Sequence, residues 1–173
     1  MQFMRMLTIL SLSVPLAAQN QKPLASPKAT VMQVVGSTEI TITYHRPAVK
    51  GRNIFGGLVP YGQVWRTGAN ENTTIAFSSD VKINGKTLKT GTYGLHTVPG
   101  SSSWTVIFNN DSKAWGSYSY DQKKDALRVD VKPSESEFVE RMRFTIDDMT
   151  ENRATVILQW EKTRVSFDVE VPS

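Results

Sequence analysis

From residue 29 onward the chain is organised by period-two alternation. ATVMQVV at 29–35 has strand character, and Gly36–Ser37 turns the chain. EITITY at 39–44 sets Ile40 and Ile42 on one side and Thr41 and Thr43 on the other, the pattern of a strand with one buried face. His45–Arg46–Pro47 ends it, because Pro47 has no N–H to give a central ladder. Further strands are predicted at 73–77, 80–83, 86–89, 92–98 and 104–109. Asn84–Gly85 is the strongest hairpin signal, since both residues tolerate positive φ. In 92–98, Tyr93, Leu95 and Thr97 alternate against Thr92, His96 and Val98. Leu127, Val129 and Val131 share one face of a strand at 126–133. Residues 137–147 carry the apolar set Phe138, Met142, Phe144 and Ile146, with a strand read from Arg141, where period-two alternation begins, and a hairpin turn is expected around Asp147–Asp148. ATVILQW at 154–160 and RVSFDVEV at 164–171 read as a closing strand pair joined by the tight connection Glu161–Lys162–Thr163.

Nine to ten short strands, turn signals roughly every 8–12 residues and no convincing helix predict an all-β fold. The expected architecture is a single antiparallel β-sandwich-like or barrel-like domain over residues 29–173. Two stretches break the alternation. Residues 48–72 carry glycines at 51, 56, 57, 62 and 68 and follow neither period 2 nor period 3.6. A loop this long has a task or is tied down by its own side chains, here Ile54, Phe55, Leu58, Val59, Val64 and Trp65. Residues 114–125 are aromatic and irregular, and a short helical turn fits near 55–61 or 119–124.

The start of the chain obeys a different rule. Residues 1–18 hold Arg5, an apolar run from Met6 to Val14, Pro15 and the pair Ala17–Ala18. This is the layout of a secretory signal peptide, and the run is shorter than the roughly 20 residues a membrane span needs. A polar leader at 19–28 with two prolines follows. The expected location is secreted or periplasmic, without an integral membrane span. Lys+Arg number 20 against 16 Asp+Glu, and the basic residues are interspersed with acids. No basic stripe tracks a phosphate backbone, so no nucleic-acid partner is expected. The absence of cysteine excludes disulfides, Cys-ligated metal, a cysteine nucleophile and an N-terminal lipid-anchored Cys.

Candidate chemistry concentrates in the long loop and the strand end before it: His45, Arg46, Lys50, Arg52, Tyr61, Trp65, Arg66, Asn70 and Glu71. Arginines offer a rigid donor fork to carboxylate or phosphate, and Trp65 and Tyr61 offer flat faces to a ring. The candidate ligand-binding set is Arg46, Arg52, Tyr61, Trp65, Arg66, Asn70 and Glu71, facing an anionic or sugar-like envelope ligand. The competing structural reading pairs Arg66 with Glu71 and uses Trp65 as a plug. For an enzyme, His45 or Glu71 would be the acid–base group, Arg66 would steady negative charge, and His96 is the other imidazole available. His45 and His96 would meet in a metal site only if their strands share a face, and nothing local supports the spacing, so no metal is expected. No nucleophile elbow, dinucleotide fingerprint or phosphate loop is present, and no cofactor is expected. Trp115, Tyr118 and Tyr120 either line a shallow carbohydrate groove or cap one end of the fold.

The segments YHRPAVKGRNIFGGLVPYGQVWRTGANENT, GTYGLHTVPG with WTVIFN, and WEKTRVSFDVEV make the chain resemble the DUF2911 family of small exported bacterial proteins. The likeness covers about residues 24–171. It implies an exported single-domain protein and supplies no activity. The marks of the family fall on Arg46, Pro47, Lys50, Gly51, Arg52, Gly56, Gly57, Pro60, Gly62, Trp65, Arg66, Gly68, Ala69, Asn70 and Glu71. The leading expectation is a ligand-binding or cell-envelope-associated module. The alternatives are a hydrolase or lyase acting on an envelope glycan or peptide, and a structural envelope protein without a ligand.

Overall fold

The computed structural model describes residues 22–172. The signal peptide read at 1–18 and the first residues of the leader lie outside the described residues. Ten strands follow in chain order: β1 (Lys28–Val35), β2 (Thr38–His45), β3 (Thr74–Phe77), β4 (Val81–Ile83), β5 (Lys86–Leu88), β6 (Gly91–Val98), β7 (Trp104–Asn109), β8 (Asp125–Val131), β9 (Ser134–Asp147) and β10 (Arg153–Glu170). The described helical structure is one 3₁₀ turn at Gln122–Lys124, inside the predicted 119–124 window. No helix among the described residues is long and apolar enough to cross a membrane.

The strands form two antiparallel sheets, ordered β1-β2-β3-β6-β7-β8 and β5-β4-β10-β9. Each sheet keeps two edges, so the architecture is a sandwich and not a closed barrel. The chain leaves the six-stranded sheet after β3, returns at β6 and leaves again after β8. Asn84 (φ 48°) and Gly85 (φ 79°) make the β4–β5 turn as their residue types require.

Alternation sends the predicted apolar positions inward. Ile40, Ile42, Ile75, Phe77, Leu95, Val106 and Phe108 from one sheet meet Ile83, Phe144, Val156, Phe167 and Val169 from the other, all buried. Phe108 and Phe167 touch edge to face across the gap, with centroids 5.6 Å apart. Tyr44 does the same with Phe144 at 4.9 Å, and its hydroxyl accepts the Phe144 backbone N–H at 3.0 Å.

Two expectations are corrected. Residues 154–171 do not form a hairpin. Glu161 takes a positive φ of 55° inside one continuous strand, and the pairing with β9 shifts on both sides of it. Buried positions change parity there, from Ala154, Val156, Leu158 and Trp160 to Val165, Phe167 and Val169. An irregularity that reverses the faces of a strand mimics a turn in the hydrophobic pattern. Phe138 is 54% exposed and not in the core. It lies where β9 supplies four residues (Val139 back to Glu135) against two of β10, so the strict alternation that buries Met142, Phe144 and Ile146 does not reach it.

Candidate functional site

The long loop between β2 and β3 closes over one end of the sandwich. Ile54 (fully buried), Phe55 and Val59 turn into the core. Phe55 packs edge to face on Trp104 (4.8 Å), Trp65 (5.8 Å) and Trp160 (6.0 Å). Trp65 and Trp160 are stacked at 5.9 Å. The Trp65 backbone pairs in both directions with Thr97 of β6, at 2.8 and 2.9 Å, and its indole N–H donates to the Gly68 carbonyl at 3.2 Å. The loop therefore behaves as an extra piece of core. Leu58, expected to help tie it down, is 49% exposed.

The sequence candidates part company here. Arg46 donates Nε–H to the Met142 carbonyl at 2.9 Å and ties the loop entrance to β9. Arg52 spends two donors on the carbonyls of Val49 (3.0 Å) and Ala48 (2.6 Å). Asn70 donates to the Ser26 carbonyl at 3.1 Å and holds the segment before β1. Tyr61 lies across Gly56, where an added Cβ would stand 2.8 Å from its ring, and lines a separate hollow beside Phe55 and Trp104. Glu71 does not pair with Arg66. Its Oε2 sits 3.1 Å from Nε2 of the buried His45.

Arg66 is left without an acceptor. No carboxylate pairs with it among the described residues, and its Nε is buried with no hydrogen-bond partner. Its guanidinium carbon lies 5.8 Å from the Trp115 ring and 6.0 Å from the Tyr118 ring, at the limit of a cation–π contact. Those two rings stack on each other at 6.0 Å and are 60% and 83% exposed. Gly116 (φ 68°) makes the approach possible, because a Cβ there would stand 2.8 Å from Nη1 of Arg66.

Arg66 faces a cleft of about 510 Å³ between the long loop and the 114–120 segment. Arg52, Trp65, Arg66, Ser117, Tyr118 and Trp160 line it, with apolar wall from Pro47, Leu58, Val59, Pro60, Val64 and Ala69. No Asp, Glu or His lines it. Trp160 is 2% exposed, and its indole N–H has no partner. Of the predicted binding residues, the structure thus brings together Arg52, Trp65 and Arg66. Ser117 and Trp160 were missed. Trp160 reads as an ordinary core residue of an alternating strand, and Ser117 carries no local signal at all.

Behind the cleft, the outer face of the six-stranded sheet carries a buried polar layer. His96 is 1% exposed, and its Nδ1 lies 2.9 Å from the Ser117 hydroxyl. Its ring packs on Tyr120, 5.3 Å between centroids. The Tyr120 hydroxyl donates to Asp125 at 2.6 Å, and Arg128 reaches both at 3.1 and 2.9 Å. Asn109 donates to the same carboxylate at 2.7 Å and to the Asp121 carbonyl at 3.0 Å. Burial pushes the His96 imidazole down to about 4, against the pull of Asp125 and Asp111. Burial, and then the bond to Asp125, pushes the Tyr120 phenol up to about 12.

Extending the β2–β3 and β3–β6 registers by two pairs puts His45, Asn72 and His96 in one row, with Asn72 in the middle. The two histidines thus share a face, separated by an amide. No group of three or more His, Cys, Asp or Glu residues able to hold a metal occurs among the described residues. The His45–Glu71 pair has acid–base geometry, but neither residue lines the cleft.

Fold and site define an antiparallel β-sandwich whose long loop builds an arginine-bearing cleft. The chain belongs to the DUF2911 family: the family model, described as a protein of unknown function, matches residues 26–169. No curated protein and no solved structure matches it.

Proposed function

We propose that this protein is an exported binding module whose cleft takes a small organic anion with an apolar body. The observation that carries the reading is Arg66, half-buried in a cleft wall with no acidic residue and without an acceptor of its own. A desolvated guanidinium gains charge-assisted, bidentate hydrogen bonds when a carboxylate or phosphate reaches it. Arg52 adds a second positive charge at the same rim.

The rest of the lining narrows the ligand. Sugar sites need acceptors for hydroxyl protons as well as flat faces. The side chains here supply Gln63, Ser26 and Ser117 and no carboxylate, beside prolines, valines and two tryptophans. That chemistry favours an amphipathic carboxylate over a neutral sugar. The reading as an exported protein rests on the layout of residues 1–18.

Titration calorimetry with matched pairs, such as a medium-chain carboxylate and its primary amide, tests the reading. The carboxylate is expected to bind at least about tenfold more tightly than the amide, a difference of about 1.4 kcal/mol. Arg66→Gln is expected to erase that preference. Equal affinity for acid and amide, or a preference that survives Arg66→Gln, would refute an anion site at this arginine.

A further inference from the structure

We propose that Ser117 is a nucleophile served by His96, so that the cleft accepts an acyl group from a carboxylic ester that carries an anionic group. The inference rests on the anion-binding reading of the cleft and adds a reaction to it. It stands on the convergence of three residues from three parts of the chain. Ser117 lines the cleft, His96 of β6 lies directly behind it, and Arg66 of the long loop lies against the adjacent Gly116.

The hydroxyl of Ser117 is 2.9 Å from Nδ1 of His96. With that nitrogen unprotonated, the serine donates to it, which is the ground-state contact of a serine–histidine pair. The imidazole is held from behind. Tyr120 packs against the ring at a tilt of 59° and is itself fixed by Asp125 and Arg128. Nε2 sits over Gly94, where a Cβ would stand 3.2 Å away and would also press on Asn72 and the Asp111 carbonyl at 2.7 and 3.0 Å. Glycine at 94 is therefore what lets the imidazole lie against the strand. The acids facing His96 are Asp111 and Asp125. Burial outweighs them and keeps the ring neutral at neutral pH, so that Nδ1 is free to take a proton.

The reaction balances with water as the second substrate. Ser117 Oγ attacks the ester carbonyl carbon while its proton passes to His96 Nδ1. The tetrahedral adduct expels the alcohol, which takes that proton, leaving acyl-Ser117. Water then adds to the acyl carbon and gives a proton to Nδ1. The C–Oγ bond breaks, the proton returns to Ser117, and the carboxylic acid leaves. Arg66 holds the anionic end of the substrate, and among the described residues His96 is the base in contact with the nucleophile.

The test uses two activated esters, mono-4-nitrophenyl glutarate and neutral 4-nitrophenyl butyrate, with nitrophenol release followed by peptide mass mapping. A stoichiometric burst with the acyl group on Ser117 is expected, abolished by Ser117→Ala and slowed at least tenfold by His96→Gln. Gly94→Ala, which displaces the imidazole without removing it, is expected to slow it as well. The acylation rate should be flat above about pH 5 and fall with a midpoint near 4, unlike a serine–histidine pair of ordinary basicity. Arg66→Gln should cut the preference for the glutarate ester over the butyrate ester at least tenfold. No adduct, an adduct elsewhere, or a burst that survives Ser117→Ala overturns the inference. Calorimetry with glutarate monoamide separates the two readings: binding that persists in Ser117→Ala without acylation retains the anion site and removes the nucleophile.

Discussion

The molecule covers its sheets with two irregular segments, and they are held by opposite chemistry. The long loop at 46–72 is pinned by apolar surface, through Phe55 and Trp65 against Trp104 and Trp160. The segment at 110–121 is pinned by hydrogen bonds, through Asn109, Ser117 and Tyr120 to His96, Asp125 and Arg128. The first has the economics of a core, where energy scales with buried area and tolerates imperfect geometry. The second depends on every donor meeting its acceptor, because a buried polar group left alone costs free energy. The cleft lies at the seam of the two: the long loop gives the apolar wall and Arg66, and the 110–121 segment gives Ser117 and Tyr118.

The largest effect tests the apolar pin. Trp104 is 1% exposed and touches Phe55 and Trp65. Trp104→Ala is expected to cost about 4 kcal/mol by loss of burial and creation of a cavity. Urea unfolding followed by circular dichroism measures it. A loss below about 1 kcal/mol would mean that the loop does not share the core of the sandwich.

The polar layer answers to pH. His96 has a folded-state value near 4 against 6.5 for a free imidazole. Between those values the unfolded chain binds the proton and the folded chain does not, so stability rises with pH through this window and is lost as pH falls from 6.5 toward 4. The loss is on the order of 3 kcal/mol for a shift of this size. Urea midpoints between pH 7 and pH 4 should show the slope, and His96→Gln should flatten it. The same slope in the variant would assign it to other groups.

Asn109→Ala attacks the same layer without changing charge. It strips one donor pair from Asp121 and Asp125 and an acceptor from the Asp111 N–H. A cost of about 2 kcal/mol is expected, with 110–121 amides exchanging faster while those of the long loop stay protected. Equal loosening of both segments would show that the two covers are not independent.

The apolar half of this comparison was legible in the sequence and the polar half was not. Alternation through Ile40, Ile42, Leu95 and Phe108 specifies inward faces, and the loop glycines and aromatics announce a segment tied down by its own side chains. The break in alternation at Glu161 was visible too, but a bulge and a turn leave the same mark in a hydrophobic pattern. The polar layer depends on registers between strands distant in the chain and on a loop folding back over them. Ser117 and His96 are 21 residues apart, with no spacing that links them. Arg66 stood out by residue type, yet its partner was misassigned, because Glu71 lies at the His45 end of the row.

Arg66 itself is where the smallest stability effect carries the sharpest meaning. Were it the staple that a domain without cysteine needs, its loss would unfold the loop. The structure gives it no carboxylate, an unpartnered Nε and two aromatic rings at the edge of contact. Arg66→Gln is therefore expected to shift unfolding free energy by no more than about 0.5 kcal/mol, since only a weak cation–π contact and part of the stem packing are lost. Removing an unpaired, partly desolvated charge offsets some of that loss. The same substitution is expected to remove the anion preference of the cleft. A loss of about 2 kcal/mol or more in the absence of ligand would place Arg66 with Arg46 and Arg52, among the arginines that hold the loop rather than those that wait for a partner.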